Sequence, residues 1–238
     1  MPRTIKLKSR KEVAAGTMAF HFEKPAGFTF IPGQAGDFTL PNPPEDDAEG
    51  NKRAFSLASA PYEEDLIITT RMRDTAFKRS LKKIPLGTEL LLDAPWGELV
   101  LDKDPSLPAV FLTGGIGVTP VRSMVLQATH DKLPRKLILF YSNRHPEDAA
   151  FLDELTQAAK ANPNFTFVPT MTKLADGSSW KGETGVIDKA MLLRHLDDLS
   201  APIYYISGPP TMVSAMQKIL KDAGVKDANL RAEEFSGY

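Results

Sequence analysis

The segment PAVFLTGGIGVTPVRSMVLQATH, residues 108 to 130, decides the fold. Its AVFLT run is continuously apolar, as in a strand buried on both faces. GGIGV supplies a tight turn of the kind that glycine makes easily. VRSMVLQAT then reads as a helix, with Pro120 in the first turn, where a missing N–H is tolerated. The same grammar repeats downstream. KLILFYSN, NFTFVPTMT and PIYYISG read as strands, and DAAFLDELTQAAKA, DKAMLLRHL and TMVSAMQKILKDAG as helices. Such alternation predicts a parallel sheet with helices on both faces.

Upstream the grammar differs. Residues 3 to 40 alternate polar and apolar positions in short runs, punctuated by Gly16, Pro25, Gly27, Pro32, Gly33, Gly36 and Pro41. That is the pattern of an antiparallel barrel or sandwich. PNPPEDDAEGNK (41 to 52) reads as an acidic, exposed loop, and residues 65 to 72 as a strand. DTAFKRSLKKI (74 to 84) is helical, with Phe77, Leu81 and Ile84 on one face. LGTELLLDAPWGELVL (86 to 101) resembles a hairpin of two strands around Pro95-Trp96-Gly97. LDKDPSLP (101 to 108), polar and with two prolines, separates the two grammars. The predicted domains are therefore residues 1–103, an antiparallel barrel or sandwich, and residues 104–238, an α/β domain with a parallel sheet.

Composition narrows the functions. Of 238 residues, 42% are hydrophobic and 25% charged, and 29 basic residues against 30 acidic ones leave a formal charge of −1. This gives no electrostatic case for nucleic acid or an anionic membrane as partner. The absence of cysteine excludes disulfides, thiolate zinc sites and cysteine-ligated iron–sulfur clusters on this chain. The four histidines are scattered without metal-ligand spacing, so no metal site is expected. With no apolar leader and no run of membrane-spanning length, the expectation is a cytoplasmic monomer.

Four stretches carry chemistry. Arg53-Ala54-Phe55-Ser56 opens RAFSLASAP, a strand-like run that places a cation and an aromatic on one face. Phosphate suits the arginine, a flat ring suits Phe55, and a hydrogen-bonding edge suits Ser56. Taken alone, the run also reads as an amphipathic edge strand. The turn Thr113-Gly114-Gly115-Ile116-Gly117-Val118-Thr119 allows a dinucleotide to approach backbone closely, although it does not fit G-x-G-x-x-G. At the next strand end, Ser142, Asn143 and Arg144 suit an adenosine ribose and a 2′-phosphate, or simply a solvated loop. At the last, Gly208 permits close approach, Pro209 stiffens the turn, and Thr211 is positioned to cap the following helix.

In this order, these stretches resemble the ferredoxin–NADP reductase superfamily over essentially the whole chain. RAFSLASAP resembles its Arg-x-aromatic-Ser flavin motif, TGGIGVTP its nucleotide-binding turn, and YYISGPPTMV its Gly-Pro-Pro-x-Met strand end. Glu233-Glu234-Phe235-Ser236-Gly237-Tyr238 resembles its acid-x-aromatic ending. The resemblance implies FAD and NAD(P)H as cofactors, with residues 1–103 as an FAD-binding antiparallel β-barrel domain and residues 104–238 as an NAD(P)-binding α/β parallel-sheet nucleotide-binding domain. Arg53 would hold the FAD pyrophosphate, Phe55 would pack on the flavin or ribityl region, and Ser56 would bond near flavin N5. Thr69, Thr70 and Arg71 would reach the cofactor through backbone, and Thr75, Ala76, Phe77 and Lys78 would form a pyrophosphate-binding helix start. Thr113 to Gly117, Thr119, Gly208, Pro209 and Met212 would shape the nicotinamide side. Glu234 would assist electrostatically, and Phe235, with Tyr238 as its rival, would shield the flavin.

The sequence departs from the family at two places. Thr75-Ala-Phe-Lys78 stands where glycine and serine are common, and Ser207 where many members carry cysteine. The implied activity is hydride transfer from NAD(P)H to FAD, with electrons passing to a separate acceptor: a ferredoxin, another redox protein or a small molecule. The alternatives are a non-catalytic flavin- or nucleotide-binding relay subunit and a flavin-free dehydrogenase.

Overall fold

The structure is a computed structural model describing residues 2–235. Its first half is a six-stranded antiparallel sheet of β1 (Arg3–Ala14), β2 (Thr17–Glu23), β3 (Ala35–Thr39), β4 (Lys52–Ser56), β5 (Asp65–Arg71) and β6 (Glu89–Trp96). The strand order is β4-β3-β6-β1-β2-β5. Period-two alternation sends Phe20 and Phe22 of β2 into the core and leaves His21 between them half-buried. Just beyond β4, Ala58 N–H donates to Ile67 O of β5 at 2.8 Å, so the two edges meet and the sheet curls into a barrel.

Helix α1 (Ala76–Lys83) closes one end of the barrel. Phe77 and Leu81 insert beside Phe20, Phe22 and Phe38. Burial of a side chain such as Phe77 stabilises the fold by roughly 1.5–3 kcal/mol. Thr75 caps the helix by accepting from Lys78 N–H at 3.4 Å. The hairpin expected over residues 86 to 101 is only half formed. β6 ends at Trp96, and Leu99 and Leu101 pack against the second domain's core, near Met124, instead of pairing as a strand.

The second half builds a sheet from β7 (Ala109–Gly114), β8 (Leu137–Asn143), β9 (Phe165–Met171), β10 (Glu183–Thr184), β11 (Ile203–Gly208) and β12 (Leu230–Glu234). All pairings are parallel, in the order β10-β9-β8-β7-β11-β12. Every residue of β7 is buried, as its apolar run requires. Helices α2 (Val118–His130) and α3 (Leu152–Ala161) cover one face. Helices α4 (Lys189–His195) and α5 (Pro210–Asp222) cover the other. Thr211 does not cap α5; the helix already starts at Pro210, with Pro209 in the cap position. Strand order reverses at β7, with β8 on one side and β11 on the other. Such a switch opens a crevice at the carboxyl ends of the strands.

Candidate active site

A cleft of about 420 Å³ opens where that crevice faces the barrel. One wall is Arg53, Ala54, Phe55 and Ser56 of β4, Thr69, Thr70 and Arg71 of β5, and Thr75 and Lys78 at the start of α1. The other is Ile116 and Thr119 of the β7–α2 turn, with Glu234 and Phe235 from the end of β12. Ala35, Glu49, Arg73 and Trp96, which no sequence motif names, line it too, as does Glu233, the acid of the acid-x-aromatic ending.

The barrel wall is cationic. Lys78 sits among Arg53, Arg71 and Arg73, and its Nζ donates to Arg71 O at 2.8 Å. Burial, with the charges of Arg73 and Arg53, pushes the Lys78 pKa down to about 8. Arg53 stacks over the Phe77 ring at 5.4 Å and donates to the Glu49 carboxylate at 2.7 Å. Its guanidinium also donates to the carbonyls of Glu49, Gly50 and Lys52. Phe55 lies between Phe38 and Phe77, so only part of its ring faces the cleft. Thr69 Oγ1 is buried without a hydrogen-bond partner among the described residues, an unmet polar demand in the wall.

The start of α1 departs from the expectation. Ala76 and Phe77 are buried in the barrel and do not line the cleft. The first helical amide donates to a carboxylate of the chain's own loop, Asp47.

On the opposite wall, Gly115 adopts φ +51, which glycine takes without steric cost. A Cβ at Gly117 would lie 2.3 Å from Ser207 O, so only glycine lets the β7 turn press against β11. Ser207 Oγ donates to Gly117 O at 2.7 Å and is fully buried, which gives serine a structural task at this position. Thr119 Oγ1 donates to Ile116 O at 2.9 Å. Thr113, Gly114, Gly115, Gly117, Gly208, Pro209 and Met212 stand behind the lining residues, and Met212 packs on Gly114.

Ser142, Asn143 and Arg144 lie at the end of β8, outside the cleft. Asn143 is 6% exposed, and neither side-chain amide atom has a hydrogen-bond partner among the described residues.

No sequence motif marks β12 as a strand, and it is β12 that sorts the two glutamates. Pairing with β11 sets Glu233 opposite Ser207 and Glu234 opposite Gly208. Glu233 is the more enclosed, and burial raises its pKa; Glu234 is exposed at the rim. Phe235 N–H donates to Gly208 O at 2.9 Å, ending the β11–β12 ladder at the cleft. Tyr238 lies outside the described residues.

Comparison with known proteins agrees with this architecture. Residues 111–218 match the oxidoreductase NAD-binding domain. The flavohem-like FAD/NAD-binding domain of nitric oxide dioxygenase from Vibrio cholerae superposes with a TM-score of 0.85 at 18% identity, covering 98% of each chain. A ferredoxin–NADP⁺ reductase from Neisseria gonorrhoeae, with bound FAD and NADP, gives 0.80 at 23% identity, also covering 98% of each. The chain therefore shares the two-domain fold of these reductase structures, and its second half is similar to an oxidoreductase NAD-binding domain. Among curated proteins it is similar to a component of the Na⁺-translocating NADH-quinone reductase of Klebsiella pneumoniae, 31% identical over 209 residues. That match covers 79% of this chain and 50% of the relative, so the chain spans about half the length of the curated relatives it matches.

Proposed function

We propose that this chain is a flavin-dependent reductase that takes hydride from NAD(P)H onto FAD and passes electrons to a separate acceptor. In this reading residues 1–103 hold FAD and residues 104–238 present the nicotinamide. The observation that carries it is the cleft itself, a cationic wall and a hydroxyl- and carboxyl-bearing wall meeting at the domain junction.

The residues present fit FAD. Arg53, Lys78 and Arg73 offer charge to its phosphates, the orphaned Thr69 Oγ1 gains a partner, and Ser56 stands at the end of β4 to bond the ring edge. FAD held there would supply a hydride-accepting ring, with NAD(P)H as the source of the hydride. The protein's part is orientation. Thr119, fixed by its bond to Ile116 O, would shape the nicotinamide side, and Phe235, which lines the same cleft, would shield the flavin ring. Burial raises the pKa of Glu233, the enclosed carboxyl of the cleft.

Anaerobic addition of NADH or NADPH to the FAD-loaded protein tests the reading. Bleaching of the flavin band is expected, and unchanged absorbance sinks it. Acceptors to screen next are a ferredoxin, other redox proteins and small molecules, with quinones included because the similar curated proteins are named for quinone reduction.

A further inference from the structure

Helix α2 touches both sides of the domain junction. Arg122 is 4% exposed. Its Nη1 donates to Ala58 O at 2.7 Å and to Glu63 Oε2 at 2.8 Å, and its Nη2 reaches Glu63 Oε1 at 3.0 Å. Nε and Nη2 also hold Glu154, at 2.7 and 2.6 Å. The guanidinium lies 4.9 Å from the Phe151 ring centre. Next to it, Ser123 Oγ donates to Ser59 O at 2.7 Å. Ala58, Ser59 and Glu63 follow β4 in the barrel half, whereas Glu154 belongs to α3 in Arg122's own domain.

These contacts sit at a waist. One helical turn before Arg122, Thr119 lines the 420 Å³ cleft, and two residues before Ala58, Ser56 lines its opposite wall. Arg122 itself borders a second cleft, of about 530 Å³, between β1, β2 and the residues leading into α3. A rotation of the domains about this waist would widen one cleft and narrow the other. Apolar packing could slide here; a bidentate guanidinium–carboxylate pair has one geometry. A buried ion pair is weak evidence for stability, but fixing a register is its best-attested use.

We infer that Arg122, with Ser123, is a positioning residue whose bonds to Glu63, Ala58 and Ser59 lock the two walls of the active-site cleft into one register. The consequence for hydride transfer rests on the function proposed above, but the lock can be read without it. Because the chain lacks cysteine, Glu89→Cys and Ser214→Cys place one spin label on each domain, and double electron–electron resonance reports their distance distribution. The decisive comparison is Glu63→Gln against Glu154→Gln. Each removes one of Arg122's two carboxylates, but only Glu63 spans the junction.

Glu63→Gln is expected to broaden the distance distribution and slow flavin bleaching about tenfold to a hundredfold, with the NADH Kd within about twofold of wild type. Glu154→Gln is expected to leave both the distances and the rate unchanged. Equal effects from the two variants, or no effect on distance from either, overturn the inference. If Glu63→Gln does not fold, Ser123→Ala, which deletes one neutral hydrogen bond across the junction, must show the same broadening to a smaller degree. A wild-type protein that never bleaches counts against the proposed function and leaves the distance comparison to judge the lock.

Discussion

The Asp47 carboxylate accepts a hydrogen bond from the Ala76 backbone amide at 2.8 Å, so the anion at the start of α1 is one that the chain supplies itself. The Ala76 amide, ahead of the Glu49 amide and the nearby arginines, holds the Asp47 carboxyl below its ordinary pKa. Two residues on, Glu49 pairs with Arg53. The acidic loop thus occupies two of the groups assigned above to cofactor phosphate, and it must yield them when FAD binds. The combined Asp47→Asn and Glu49→Gln variant should bind FAD about threefold to tenfold tighter, because the competing closed population is removed. The cofactor-free variant should melt at a lower temperature, because a neutral amide oxygen accepts from the Ala76 amide more weakly than a carboxylate and the glutamine at position 49 no longer pairs in charge with Arg53. Quenching of FAD fluorescence and calorimetry measure the two effects. Weaker binding would mean that the loop grips the cofactor instead.

Lys78 gives the cleft a pH dependence. Its pKa of about 8 means the ammonium is lost on mild alkalinisation, and a bound phosphate favours the charged form. Binding therefore takes up a proton, and FAD affinity should fall as pH rises through about 8, by at most about tenfold per pH unit. Lys78→Met should bind more weakly at pH 7 and lose this dependence. An equally steep profile in that variant would assign the proton elsewhere.

Glu233 affects stability in the opposite pH window from a salt-bridged acid. Its folded-state pKa is raised by burial above the unfolded value of about 4.3. The folded form therefore binds the proton more tightly. Stability is complete below the unfolded pKa and is lost as pH rises through the folded one. Glu233→Gln does not titrate, so its Tm advantage over wild type should be larger at pH 8 than at pH 4. Thermal melts at the two pH values decide the matter, and a constant difference would place Glu233 in water.

Arg144 is exposed at the end of β8, just after Asn143, whose buried side-chain amide has no hydrogen-bond partner among the described residues. If the adenosine 2′-phosphate is recognised there, Arg144→Ala should lower kcat/KM for NADPH about tenfold and for NADH less than about twofold, the size of a lost charge-assisted bond. Equal losses for both nucleotides would remove the assignment.

Local sequence revealed much of this protein because much of it is locally encoded. The AVFLT run needs burial on both faces wherever it lies, and β7 is buried throughout. The RAFS run forms the strand it predicts, and Arg53 to Ser56 all line one cleft, although alternation alone would divide them between two faces. What escaped depends on partners distant in the chain. Adjacent glutamates at 233 and 234 are indistinguishable until β12 pairs with β11 and fixes which of them is enclosed. Nothing in the α2 sequence names the partners of Arg122, and it is enclosed by Glu63 from the barrel half together with Glu154 of its own domain. Residues 98 to 101 have strand-like composition, but the second domain's core claims Leu99 before any strand can pair with it.

The bond from Phe235 N–H to Gly208 O separates what is anchored at the cleft mouth from what can turn. The Phe235 backbone is tied to β11, whereas its ring hangs beyond the last rung of the ladder. If Phe235 shields the flavin as proposed, admitting a nicotinamide needs rotation about its side-chain torsions and no unpairing of the strand. Side-chain rotations of this kind run on picosecond to nanosecond scales, whereas collective domain motions take microseconds to milliseconds. The gate can swing many times while the frame around it keeps one shape.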